Sequence, residues 1–214
     1  MDLEELLGCA SEIARPSVCL QPGRATTPSA WWRPQTTQPP PQPGWELVLA
    51  VHPRVFAIAS IELRGWVFVW ADGAMLNSEA VVVSDGAADI RDGQALDAIG
   101  RVDLPPIDAL VRCGPQRVRD WLGLTGWDPT WGINSNFVGM DLVNRYESAA
   151  LKTHPLWSPG NCVAQIGGWP WRWPDDDEYI PEAGELLVLT IAEAEPWIEV
   201  RRNAGRVDTK CRIT

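Results

Sequence analysis

The chain has 214 residues, 45% of them hydrophobic and 21% charged, with a formal net charge of −10. That length and apolar share suffice for a buried core in one large domain. The negative balance repels phosphate backbones and excludes sequence-independent nucleic-acid binding, and no run approaches the roughly 18 apolar residues of a membrane-crossing helix. Tryptophan is the unusual component, at 13 residues against 3 Phe and 2 Tyr. Each indole offers a large apolar area and one N–H donor, so most of these residues are expected to be packing.

Residues 2–15 place Leu3, Leu6, Leu7, Ala10, Ile13 and Ala14 at helical spacing, and Pro16 stops the stripe. From Gln21 to Gly44 the composition becomes proline-rich and polar, with a run at Pro39, Pro40 and Pro41. Such sequence favours extended backbone without a ladder, which predicts a strap or linker docked through Trp31 and Trp32. The stretches WELVLAVH, RVFAIAS and IELRGWVFVW read as strands, and Asp72–Gly73 as a two-residue hairpin turn before EAVVVS. Gly86, Gly93 and Gly100 mark a loop-rich passage with one short helical turn.

PIDALVRCG and PQRVRDWLGL each open with proline at a helix start. DLVNRYESAALK carries a helical stripe of Leu142, Val143, Tyr146, Ala149 and Ala150. CVAQIGG, ELLVLTIA, WIEVRR and RVDTKCRI return to strand, the last two turning around Asn203–Ala204–Gly205. Clustered strands, then helices, then strands predict an α+β fold with a mostly antiparallel sheet, a helical segment in the middle and a proline-rich N-terminal arm. The expected division is an N-terminal helix at 1–20, a proline-rich strap at 21–44 and one α+β domain at 45–214. On that division a chain beginning near Gly44 is expected to fold.

The cysteines at 9, 19, 113, 162 and 211 are odd in number, widely spaced and without a C-x-x-C pair. They are expected to be free thiols without a native disulfide. The acidic start MDLEELLG lacks the apolar run of a secretory leader, so a cytoplasmic location is expected. G-x-S-x-G, Walker, G-x-G-x-x-G and H-E-x-x-H patterns are absent from the sequence, which argues against the common enzyme classes. His154 and Cys162 are a possible base–nucleophile pair across WSPGN; an inert buried thiol and a helix-capping histidine are the plainer reading.

The densest feature is GGWPWRWPDDDE, from Gly167 to Glu178. Gly167–Gly168 permits backbone closed to other residues, and Trp169, Trp171 and Trp173 alternate onto one face of an extended segment. Arg172 points away or stacks on a ring. Asp175, Asp176, Asp177 and Glu178 form an acidic loop whose neighbouring carboxylates do not converge on one ion, so no metal and no cofactor is expected. Nearby, Glu193, Glu195 and Glu199 surround Trp197 at a strand entry, where two carboxylates beside an indole suit acid–base work. Solvated strand-entry glutamates are the plainer alternative.

The stretches GGWPWRWPDDDE, GWDPTWGINSNF and EPWIEV, with the terminal CRIT, resemble small bacterial cytoplasmic proteins with a Gly-Gly-Trp loop and a Glu-Pro-Trp strand. The resemblance spans roughly Trp121 to Thr214. Some such proteins are encoded beside secreted toxins as immunity proteins. That fits a non-enzymatic protein-binding module, and the acidic charge calls for a basic protein partner. Aromatic anchors with a charged rim put its expected contact at Trp169, Trp171, Arg172, Trp173, Asp175, Asp176, Asp177, Glu178, Glu195, Trp197 and Glu199. The other expectations are an enzyme using carboxylates near Glu195 and Glu199, or an assembly protein whose N-terminal arm holds a neighbouring subunit.

Overall fold

One ten-stranded antiparallel sheet organises the chain, in the order β12-β11-β10-β9-β1-β8-β2-β4-β5-β6. The computed structural model describes residues 1–24, 28–84, 88–125, 139–154, 162–169, 186–191, 197–203 and 206–212. The strands are β1 Arg15–Pro22, β2 Ala30–Trp32, β3 Gln35–Thr36, β4 Glu46–Val51, β5 Trp66–Ala71 and β6 Ser78–Val83. They continue with β7 Ile90–Arg91, β8 Gln94–Asp103, β9 Ala164–Gly167, β10 Leu186–Ile191, β11 Trp197–Asn203 and β12 Arg206–Arg212. The helices are α1 Leu3–Ser11, α2 Pro53–Ile58, α3 Ile107–Cys113, α4 Gln116–Thr125 and α5 Met140–Thr153. The fold is α+β, as the clustering of strands and helices predicts.

The sheet curls until its terminal strands β6 and β12 lie alongside each other. Val18 and Leu20 of β1, Val67 and Val69 of β5, Ile166 of β9 and Val200 of β11 therefore meet in one apolar cluster. Phe56 and Val55 of α2 are fully buried in that cluster, so α2 fills the concave side. Strong curvature needs interruptions of the ladder, and the register shifts between Leu47 and Leu49 and between Leu187 and Leu189 supply two.

The convex side is covered in two ways. Over β4 and β5, the tryptophans do the packing: Trp66, Phe68 and Trp70 cluster with Trp31 and Trp45. The Trp31 and Trp66 rings meet at 5.4 Å between centroids. Among the described residues, α1, α3, α4 and α5 form a second cluster around Leu6, Leu110, Leu122 and Tyr146. Helix α5 secures the β8–α3 connection through three contacts. Thr153 Oγ1 accepts from Leu104 N at 3.1 Å, Glu147 Oε1 accepts from Ile107 N at 2.7 Å, and Tyr146 OH donates to Pro105 O. Burial pushes the Glu147 carboxyl up to about 7, against the hydrogen bond from Ile107 N.

Four local expectations change. RVFAIAS contains α2 instead of a strand, because Pro53 occupies a first-turn position and His52 Nδ1 caps it by accepting from Arg54 N at 3.1 Å. The Asp72–Gly73 turn is a longer loop closed by Asp72 N donating to Asn77 O at 3.1 Å. Asp72 Oδ1 also accepts from Leu76 N, and Oδ2 from the Asn77 amide. The glycine-marked passage holds the ten-residue strand β8, which tolerates Gly100 because Ile58 packs close against it. The N-terminal stretch is not an arm: helix α1 ends at Ser11, and β1 and β2 enter the main sheet from the residues read as helix and strap. Trp32 is buried in the concave core, as docking of that stretch requires.

The register reverses the expectation for a truncated chain. Strand β1 pairs with β8 on one side and β9 on the other, and β2 lies between β8 and β4. A chain beginning at Gly44 lacks both strands, and thermal unfolding followed by circular dichroism should show no cooperative transition. A transition within about 10 °C of the full chain, which corresponds to only a few kcal/mol, would refute this placement of β1 and β2.

Candidate functional site

The Gly-Gly-Trp turn at the end of β9 is the best-defined polar site among the described residues. Gly167 and Gly168 have φ of +63° and +74°, in the region that favours glycine. A Cβ on Gly168 would stand 2.6 Å from both Asp103 Oδ2 and Gln165 Nε2, and 2.9 Å from Ser17 Cβ. Close approach, as well as backbone conformation, thus requires glycine here.

Trp169 is 3% exposed and fixed at each of its polar atoms. Its backbone N donates to Asp103 Oδ2 at 2.7 Å. Its carbonyl accepts from His154 Nε2 at 3.2 Å and from Gln165 Nε2 at 3.4 Å. Its indole Nε1 donates to Ile13 O at 3.2 Å, and the Arg15 guanidinium stacks 3.6 Å from the ring centroid. These partners come from the turn after α1, from β1, β8 and β9, and from the end of α5. A cation does stack on an indole of this segment, and it is Arg15.

Burial governs the electrostatics. Asp103 is fully buried, which pushes its carboxyl up to about 7 despite hydrogen bonds from Trp169 N and Gln165 and the charge of Arg15. Burial pulls His154 down to about 4, so its ring is neutral near pH 7 and donates from Nε2. Arg15 Nη1, Ser17 Oγ, Asp103 Oδ1 and Gln165 Oε1 are buried without a hydrogen-bond partner among the described residues. The arrangement holds a backbone turn and keeps a proton in reach of neutral pH. Among the described residues, no group of three or more His, Cys, Asp or Glu is placed to hold a metal.

A second buried polar feature crosses the sheet in register. Cys19 faces Gln165, Gln165 faces Thr190, and Thr190 faces Glu199. Glu199 is buried and accepts from Arg201 Nη2 at 2.8 Å and Nε at 3.1 Å. It is therefore neither a solvated strand-entry glutamate nor an open acid–base group. Trp197 begins β11, with only its backbone described. Trp171, Arg172, Trp173, Asp175, Asp176, Asp177, Glu178 and Glu195 lie outside the described residues. His154 holds Trp169 O, whereas Cys162 donates to Ala164 O at 3.2 Å.

Sequence reasoning missed Arg15, Ser17, Asp103 and Gln165. The only local signal was a polar residue inside an apolar strand, as Gln165 in CVAQIGG and Ser17 in PSVCL. Compared with known proteins, the chain matches no family model, no curated protein and no solved structure.

Two outcomes test this site. Gly168→Ala should lower unfolding free energy in urea by about 2 kcal/mol or more, from backbone strain and the clash with Asp103 and Gln165. Wild-type stability would show that the turn relaxes freely.

The second outcome concerns pH. Asp103 binds its proton more tightly when folded, at about 7, than when unfolded, at about 3.9. Its contribution is complete below the unfolded value and is lost as pH rises through 7. His154 is opposite: folded at about 4 against about 6.5 unfolded, it contributes above the unfolded value and loses that contribution as pH falls through 4. Asp103→Asn removes the first slope alone. The variant should gain stability relative to wild type from pH 5 to 7, by at most about 1.4 kcal/mol per pH unit. Urea titrations at stepped pH measure the difference, and a constant offset would exclude titration of Asp103.

Proposed function

We propose that this chain is a non-enzymatic protein-binding module of the accessory or immunity type, with a basic protein as its partner. The contact is the acidic, tryptophan-rich segment that begins at Gly167, and the location that suits it is cytoplasmic. The observation that carries the reading is the fixing of Trp169 by Asp103, Gln165, His154 and Arg15. The acids that follow in sequence leave from a rigid root, which lowers the ordering cost of binding. The net charge of −10 supports attraction to a cationic surface. The resemblance of the Gly-Gly-Trp and Glu-Pro-Trp stretches to immunity-type proteins points the same way.

Against the enzyme alternative, the Glu199 carboxylate is held by the Arg201 guanidinium at 2.8 Å. The assembly alternative loses its free arm, since β1 and β2 pair within the chain. In this structure no helix of the described residues is long and apolar enough to cross a membrane.

The test is to isolate the partner by affinity capture from the native host and measure association of the purified pair by stopped flow. Changing Asp175, Asp176 and Asp177 together to Asn should leave stability within about 1 kcal/mol, as at ordinary surface positions. Association should slow several-fold at low salt, and the difference should shrink as salt screens the charge. Identical association rates for wild type and variant would reject the acidic segment as the contact.

A further inference from the structure

Four polar atoms buried beneath the Gly167–Gly168 turn have no hydrogen-bond partner among the described residues: Arg15 Nη1, Ser17 Oγ, Asp103 Oδ1 and Gln165 Oε1. Ser17 and Asp103 are fully buried, and Gln165 is 1% exposed. Strand register collects them. Arg15 faces Asp103 across β1 and β8, and Ser17 faces Gly167 across β1 and β9. A Cβ on Gly168 would stand 2.6 Å from Asp103 Oδ2, 2.6 Å from Gln165 Nε2 and 2.9 Å from Ser17 Cβ, so these three side chains converge on one point. The neighbouring atoms of the same groups are already engaged. Asp103 Oδ2 accepts from Trp169 N at 2.7 Å and from Gln165 Nε2 at 3.3 Å. Gln165 Nε2 also donates to Gly167 O at 2.9 Å, which fixes the amide and leaves Oε1 as an unused acceptor. We propose that Arg15, Ser17, Asp103 and Gln165 bind one internal water molecule, which accepts from Arg15 Nη1 and Ser17 Oγ and donates to Asp103 Oδ1 and Gln165 Oε1.

The chemistry of the four atoms selects the ligand. A guanidinium N–H and a hydroxyl donate, while a carboxylate oxygen and an amide oxygen accept. These match the two lone pairs and two protons of water one for one. Buried polar groups left unmatched are costly, and internal waters bound by several such groups remove that cost. A cation would use the three oxygens but face the Arg15 guanidinium, which only donates. An anion would face the Asp103 carboxylate. Side chains as buried as Ser17, Asp103 and Gln165 present no surface from which an organic molecule could enter. The water also joins the Arg15 charge to Asp103 where Arg15 Nη1 and Asp103 Oδ1 make no direct contact. It thereby ties β1 and β8 to the left-handed turn that carries Trp169. The site is independent of whether the acidic segment contacts a partner.

The experiment pairs a crystal structure of the full chain, fine enough to order internal waters, with oxygen-17 relaxation dispersion in solution, which counts long-lived waters. The density should show one spherical peak at about 2.7–3.2 Å from at least three of the four atoms. Ser17→Val removes one partner and sets a methyl group in the water's place. With circular dichroism unchanged, its dispersion amplitude should fall by the share of one water. The proposal is overturned if the wild-type density shows no peak among the four atoms, or shows them paired directly with one another or with other protein atoms. A peak with the three oxygens at about 2.3–2.6 Å and Arg15 turned away would show a bound cation and overturn it as well. So would an unchanged amplitude in natively folded Ser17→Val; should that variant fail to fold, the wild-type density decides alone.

Discussion

Everything in this molecule depends on a single strand laddered on both sides. Strand β1 pairs with β8 from Arg15 to Pro22 and with β9 from Ser17 to Leu20. In the strand order it stands between the four strands that end in β12 and the five that end in β6. Its Val18 and Leu20 face the concave core, while Ser17 and Cys19 lie on the other face with Asp103 and Gln165. The two periodic faces of one short segment thus serve the apolar interior and the buried polar site.

That arrangement explains why a carboxylate sits in a fully buried position. Burying Asp103 carries a desolvation penalty that hydrogen bonds from Trp169 N and Gln165, and the Arg15 charge, only partly offset. In return a turn of two left-handed glycines is held in one conformation, and an indole is placed between α1 and the sheet. The polar row from Cys19 to Glu199 extends the same pattern, with the Glu199 charge neutralised by Arg201. Buried polar groups of this kind specify register, because a one-residue slip would carry each of them to the apolar face.

The tryptophans divide between packing and anchoring. Trp66, Trp70 and their neighbours cover the convex side of β4 and β5, where the two-stranded β3–β7 sheet also lies. Trp169 instead closes a polar site and stands at the head of the acidic segment. A binding function placed beyond Trp169 gains from this division, since the anchoring indole is already buried before a partner arrives.

The amino-acid sequence by itself determined the α+β class, the three helices after Asp103, the strands from Ala164 onward and the need for glycine at 167 and 168. Those depend on periodicity, capping and backbone conformation, which act within a few residues. It did not reveal that residues 15–22 and 30–32 are sheet strands, since proline and polar composition mask a ladder whose partners lie up to 150 positions away, as Gly167 does from Ser17. Nor did it gather Arg15, Ser17, Asp103 and Gln165 around Trp169. Only the tertiary structure decided these, because burial and strand register bring distant polar residues together with no local pattern to announce them.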